Sequence, residues 1–116
     1  MSSVSSGRIG EDMACRYLVS KGYRIIKRTF RAAGGEIDII ASHGNRLAFV
    51  EVKARRNNDF GSPAEAVGYH KQQKIIRTAS AFLMHCDICD EIGFDVCEVY
   101  TATGRINYIE NAFESE

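Results

Sequence analysis

The chain has 116 residues, 45% of them hydrophobic and 26% charged, and its 15 basic and 15 acidic side chains cancel to zero net charge. That length suits one core and is short for a further specificity domain, and the balanced charge argues against a non-specific polyanion binder, whose surface is normally basic. No apolar run approaches the roughly 20 residues of a membrane span, so no membrane partner is expected.

The opening Met1-Ser2-Ser3-Val4-Ser5-Ser6 lacks the apolar centre of a signal peptide. Residues 1–6 are expected to be disordered and 7–116 to form a single domain in the cytoplasm. Cys15, Cys86, Cys89 and Cys97 are then reduced. Cys86-Asp87-Ile88-Cys89 is half of a zinc pattern that Cys15 or Cys97 would have to complete, so buried thiols are the preferred reading.

A first helix is expected from Ser6 or Gly7 to Gly22, with Gly10, Ala14, Tyr17 and Leu18 as its buried stripe. Glu11 edges onto that stripe; it is either a site residue or an ordinary acid near a helix N-terminus. Tyr23 to Phe30 reads as a strand, and Arg31 to Gly35 as a turn. Two strands of a hairpin follow, Glu36–Ala41 and Leu47–Ala54, turning at Gly44-Asn45.

The hairpin carries the strongest signal. A two-residue turn pairs His43 with Arg46, and counting back sets Asp38 opposite Glu51 and Glu36 opposite Lys53. Ile37, Ile39 and Ala41 then meet Val52, Val50 and Ala48 on a wholly apolar face. Three carboxylates and one ammonium gather on the other face. As a solvated surface, that face would hold a Glu36–Lys53 ion pair contributing about 0–1 kcal/mol. Opposed Asp38 and Glu51 repel by about 1 kcal/mol at 4 Å in water, and by more when partly buried, unless a cation lies between them.

The loop Arg55 to Gly61 is polar. Ser62-Pro63-Ala64-Glu65 is a capping box opening a helical region that reaches Met84, with Ile75, Ala79, Phe82 and Leu83 inward. Lys71 and Gln72 can lean from this helix toward the sheet; an ordinary solvated face is the alternative. Phe94–Tyr100 and Ile106–Ile109 read as closing strands, and Asp95 as a strand-edge acid in preference to a residue that fixes the motif region. The order α-β-β-β-α-β-β gives an α/β (α+β) fold, a mixed sheet flanked by helices. The strand Leu47–Ala54, apolar on both faces apart from Glu51 and Lys53, belongs at its centre. His43 and His70 have no partner at metal or triad spacing.

Gly35-Glu36-Ile37-Asp38 followed by Phe49-Val50-Glu51-Val52-Lys53 resembles the YraN-type family of uncharacterised bacterial proteins. Gly10-Glu11 with Ala14 and Leu18, Gly61-Ser62-Pro63 through Val67 with Lys71-Gln72 and Lys74, Phe94-Asp95-Val96, and Asn111-Ala112-Phe113 extend the likeness in the same order. That family is similar to Holliday junction resolvases. The resemblance implies the PD-(D/E)xK, restriction-endonuclease-like fold, although Glu36-Ile37 stands where the motif's name has a proline. It also implies a site in which Glu11 joins the metal cluster and Lys71 and Gln72 contact phosphate.

Phosphodiester hydrolysis needs an activated water and charge neutralisation, which Mg²⁺ or Mn²⁺ supplies from one or two carboxylates. Asp38, Glu51, Glu11 and the main-chain carbonyl of Val52 are the expected ligands, Lys53 the catalytic cation, and Glu36 an outer neighbour. Arg55, Arg56, Lys71 and Gln72, with Asn57 and Asn58 beside the arginines, are expected to bind nucleic acid through phosphate, with no element suited to reading bases. The leading expectation is a metal-dependent endonuclease acting on branched or processed DNA, with homodimerisation by analogy to resolvases. The competing ones are a nucleic-acid-binding module of this fold without catalysis of its own, and an interaction protein that binds no nucleic acid.

Overall fold

The expected α-β-β-β-α-β-β order is found in a computed structural model that describes residues 3–55, 67–86 and 91–115, with side chains from Gly7 onward. The elements are α1 (Ser3–Ser20), β1 (Arg24–Ala32), β2 (Gly35–His43), β3 (Arg46–Arg55), α2 (Tyr69–Leu83), β4 (Glu91–Tyr100) and β5 (Arg105–Phe113). Helix α1 begins ahead of the expected Ser6 or Gly7 and is left through Gly22, whose φ of 94° suits glycine. The capping box Ser62–Glu65, the loop residues Arg56, Asn57 and Asn58, and Cys89 lie outside the described residues. No helix among the described residues is long and apolar enough to cross a membrane.

One five-stranded sheet runs in the order β1-β2-β3-β4-β5. Neighbours are antiparallel except β3 and β4, which are parallel, with α2 lying between them in the chain. Strand β3 is central, as its two apolar faces require. Ala14 and Leu18 of α1 cover Ile39, Ala41, Ala48, Val50, Cys97 and Val99 on one face. Ile75 and Ala79 of α2 cover Ile40, Leu47, Phe49, Phe94 and Val96 on the other. The result is the expected α+β fold, a mixed sheet flanked by helices.

Both helices approach the sheet at glycines. A Cβ on Gly10 would lie 3.1 Å from the Ala54 Cβ, and one on Gly35 would lie 2.5 Å from the Thr78 Oγ1 and 3.1 Å from the Lys74 carbonyl oxygen. The fully buried Thr78 hydroxyl reaches the Ala32 carbonyl at 2.9 Å, tying α2 to the end of β1. Gly35 therefore seats α2, while its neighbours Ala33 (φ 53°) and Gly34 (φ 78°) make the turn. Gly35→Ala should push α2 outward and destabilise the domain by about 1–3 kcal/mol, the usual scale for overpacking, read as a lower urea midpoint. An unchanged midpoint would mean that α2 is seated elsewhere.

The β2–β3 register follows the expected count from His43↔Arg46 to Ile39↔Val50, where the pairing ends. The expected Ile37–Val52 pairing is not made. Ile37 packs with the α2 cluster and Ile39 with the α1 cluster, although residues two apart on an unbroken strand share a face. Strand β2 therefore rotates at Asp38. On β1 the same happens at Thr29, which faces Asp38 and has a φ of 52°. Arg28 reaches α1 while Phe30 packs against Phe82 of α2. A β-branched residue at positive φ is strained, and here the strain lies beside the carboxylate pair.

Asp95 is not the strand-edge acid expected. It is fully buried in β4, where Arg46 donates to its two oxygens at 2.8 Å each. The Tyr108 hydroxyl and the Asn111 N–H (2.9 Å) donate to it as well. Burial first, then this bond to Asp95, pushes the Tyr108 hydroxyl well above its ordinary pKa. A Cβ on Gly93 would lie 1.9 Å from the Arg46 guanidinium, so glycine makes room for the pair. Cys15 and Cys97 belong to the α1 face and Cys86 packs on the α2 face, so the sheet separates the thiols a zinc site would combine. Burial, then nearby Cys15 and Glu98, pushes the Cys97 thiol up to about 12, as befits a buried neutral group.

Candidate functional site

Where the β2–β3 ladder stops, a side chain replaces it. The Val52 N–H donates to Asp38 Oδ2 at 2.8 Å. A residue's N–H and C=O point to the same edge of a strand, so the Val52 carbonyl also faces this gap, where β2 offers no paired strand. Strand β3 carries Glu51 into the same place with its side chain only 8% exposed. The Lys71 ammonium of α2 contacts Glu51 Oε2.

A second carboxyl at this depth perturbs Asp38. Burial, then the charge and hydrogen bond of Glu51, raises the pKa of Asp38 to about 7, against a partial offset from the Val52 N–H. Burial opposes the Lys71 charge, yet its hydrogen bond to Glu51, aided by the charges of Glu51, Asp38 and Glu36, holds its pKa above the ordinary value. The three groups line a cavity of about 640 Å³ together with Arg31, Glu36 and Lys74.

Other expected site residues fall into different company. Glu36 pairs with Arg31 at 2.9 Å, not with Lys53, because Arg31 is its register partner on β1. Glu11 shares Arg28 with Asp12, at 2.8 and 2.7 Å, beside an adjoining cavity that Arg31 and Glu36 also line. Lys53 lies half-buried two residues beyond Glu51 and has no carboxylate within 4.0 Å among the described residues. It does not line the cavity of Asp38 and Glu51; the ammonium that enters is that of Lys71. Arg55 is turned toward Glu98, a carboxylate 1% exposed, and donates to it at 3.0 Å. Gln72 is turned back along the chain, donating to the Val67 carbonyl just ahead of its helix at 2.8 Å. Arg56 lies outside the described residues.

Sequence reasoning set aside Asp95 as a structural anchor, and missed Glu98 in that role and Arg31 as a lining cation. The signal for the first two was available. Phe94-Asp95-Val96-Cys97-Glu98-Val99 is an otherwise apolar run, and an acid there must find a buried partner. Arg46 and Arg55, at the two ends of β3, are those partners.

The donor set suits a hard divalent cation. Asp38 and Glu51 offer carboxylate oxygens that repel each other, and the Val52 carbonyl offers a third oxygen from the same gap. Among the described residues no three His, Cys, Asp or Glu side chains form a metal-holding group by themselves, and Glu11 is occupied by Arg28. The site is therefore a carboxylate pair whose remaining ligands would be backbone, water or substrate.

Comparison with known proteins is consistent along nearly the whole chain. Residues 10–99 match the family described as Uncharacterised protein family UPF0102. A UPF0102 protein of Clostridioides difficile is 45% identical over 97% of this chain and 100% of its own. Another from Alkaliphilus metalliredigens is 45% identical over 96% of this chain and 99% of its own. One from Caldanaerobacter subterraneus is 42% identical over 92% of this chain and 93% of its own. Among solved structures, Pyrococcus furiosus SfsA in complex with Ca²⁺ aligns over 98% of this chain and 66% of its own, at 16% identity and a TM-score of 0.37. That likeness is too distant to inform on function. The chain belongs to the UPF0102 family.

Proposed function

We propose that this member of the UPF0102 family is a Mg²⁺- or Mn²⁺-dependent endonuclease that hydrolyses phosphodiesters in DNA, at branched or processed intermediates. The observation that carries this reading is the pairing of half-buried Asp38 with buried Glu51, two acids pressed together at a break in the sheet beside a cavity lined with cations. A fold seldom keeps buried like charges together for stability alone, and their use as metal ligands accounts for the arrangement. A divalent ion bound there would lower the pKa of an attacking water and neutralise charge on the phosphate.

Asp38, Glu51 and the Val52 carbonyl would hold that ion, with Asp38 kept in place by the Val52 N–H. Arg31, Lys71 and Lys74 line the same cavity and are suited to phosphate oxygens. Lys53, on the same strand, supplies positive charge to the developing oxyanion once substrate draws it in. Arg55 and Gln72, engaged with Glu98 and Val67, are assigned no contact with nucleic acid. The reading places the protein in the cytoplasm, as a homodimer on its branched substrate.

The test is cleavage of branched, single-stranded and duplex DNA with Mg²⁺ or Mn²⁺. Asp38→Asn, Glu51→Gln and Lys53→Ala should each lower the rate by about 10²-fold or more. Rates unchanged in all of them would exclude the mechanism. One observation favours a second reading, a nucleic-acid-binding module without catalysis: the described residues hold no three-acid metal group. DNA binding that survives in the Asp38 and Glu51 variants, with no cleavage by the parent chain, would select it.

A further inference from the structure

We infer that Lys71 is an internal stand-in for the divalent cation, holding Glu51 until a substrate phosphate draws the ammonium away, so that metal and phosphodiester load the site together. The inference rests on the metal-dependent reading above and concerns its order of assembly.

The two partners are unequal. The Glu51 side chain is 8% exposed and cannot move far, whereas that of Lys71 is 50% exposed on a flexible stem. Oxygen Oε2 of Glu51, in contact with the ammonium, presents it a lone pair that a metal would otherwise take. A dication entering beside Asp38 would also face the Lys71 charge within the same cavity. The ammonium therefore has to leave before both carboxylates can serve a metal. Lys74 and Arg31 line the cavity with it, so a phosphate arriving there finds a cationic set that Lys71 can join. Removing Lys71 leaves two carboxylates, the charge a dication matches. By linkage, whatever factor the polyanion adds to metal affinity, metal adds to polyanion affinity.

The test is calorimetric titration of Mn²⁺ into the full chain at pH 8, with and without a phosphorothioate oligonucleotide, for the parent, Lys71→Met, Lys71→Gln and Lys71→Arg. Without oligonucleotide, Lys71→Met and Lys71→Gln should bind Mn²⁺ at least about tenfold more tightly than the parent, the scale of a charged hydrogen bond. Lys71→Arg, which keeps the charge, should bind as weakly as the parent. Oligonucleotide should tighten Mn²⁺ binding more in the parent than in Lys71→Met. Equal or weaker Mn²⁺ binding by both neutral variants overturns the role of Lys71 and leaves the metal site standing. No Mn²⁺ binding by any of the chains overturns both.

Discussion

Asp95→Ala should destabilise the domain more than any substitution at the candidate site. It leaves the Arg46 guanidinium, 9% exposed, with only the exposed Glu91 carboxylate, 3.5 Å away, as counter-charge, and strips the Tyr108 hydroxyl and the Asn111 N–H of their acceptor. Breaking one half of a buried ion pair costs about 3–5 kcal/mol, against about 5–15 kcal/mol for the whole stability of a domain. Urea denaturation should show the loss directly. The network joins β3 through Arg46, β4 through Asp95 and β5 through Tyr108 and Asn111, so their registers should loosen together. Replacing both partners, Asp95→Leu with Arg46→Met, should recover much of the loss, because no orphaned charge remains. A loss below about 1 kcal/mol for Asp95→Ala, the scale of an exposed pair, would mean that the pair is solvated in solution.

Asp38→Asn should act in the opposite direction on stability while abolishing the proposed activity. The amide oxygen can still accept from the Val52 N–H, but the repulsion with Glu51 disappears. The sign follows from linkage. Asp38 titrates near its ordinary 3.8 when unfolded and about 7 when folded, so between those values the native state binds more protons. Native stability should therefore fall as pH rises from about 4 to about 7, by an amount on the order of a few kcal/mol, and stay low above that range. In Asp38→Asn this contribution to the slope should vanish, leaving the variant more stable than the parent at pH 8 without metal. Saturating Mg²⁺ should raise the parent's stability at pH 8 and leave the variant's nearly unchanged. Melting temperatures of both chains across pH, with and without Mg²⁺, supply the check; a parent at least as stable as Asp38→Asn at pH 8 without metal would contradict it.

The hairpin and the Asp38–Glu51 meeting were legible because alternation over residues 39–43 and 46–50 admits one register. What lay beyond Ile39 and Val50 was not legible, because counting assumes an unbroken ladder. The rotation at Asp38 and Thr29 separates Ile37 from Ile39, and Glu36 turns to Arg31. Lys71 rather than Lys53 enters the site because Gly35 and Thr78 seat α2 there, a tertiary contact with no local trace. Glycine at position 35 looked like part of a turn, yet its reason is the helix passing over it. The partners of Asp95 and Arg55 were hidden for a shared reason. Asp95 was weighed as a strand-edge acid and Arg55 as a phosphate contact, and each is paired across neighbouring strands.

The most direct measurement is a carboxyl-carbon NMR titration of Asp38, followed in the presence and absence of Mg²⁺. Without the ion, its midpoint should lie at about 7, displaced by burial and by Glu51. With Mg²⁺ the midpoint should fall below the ordinary carboxylate value as the ion binds the ionised pair. An Asp38 that titrates near 4 in both solutions, indifferent to the ion, would contradict the metal site at its foundation.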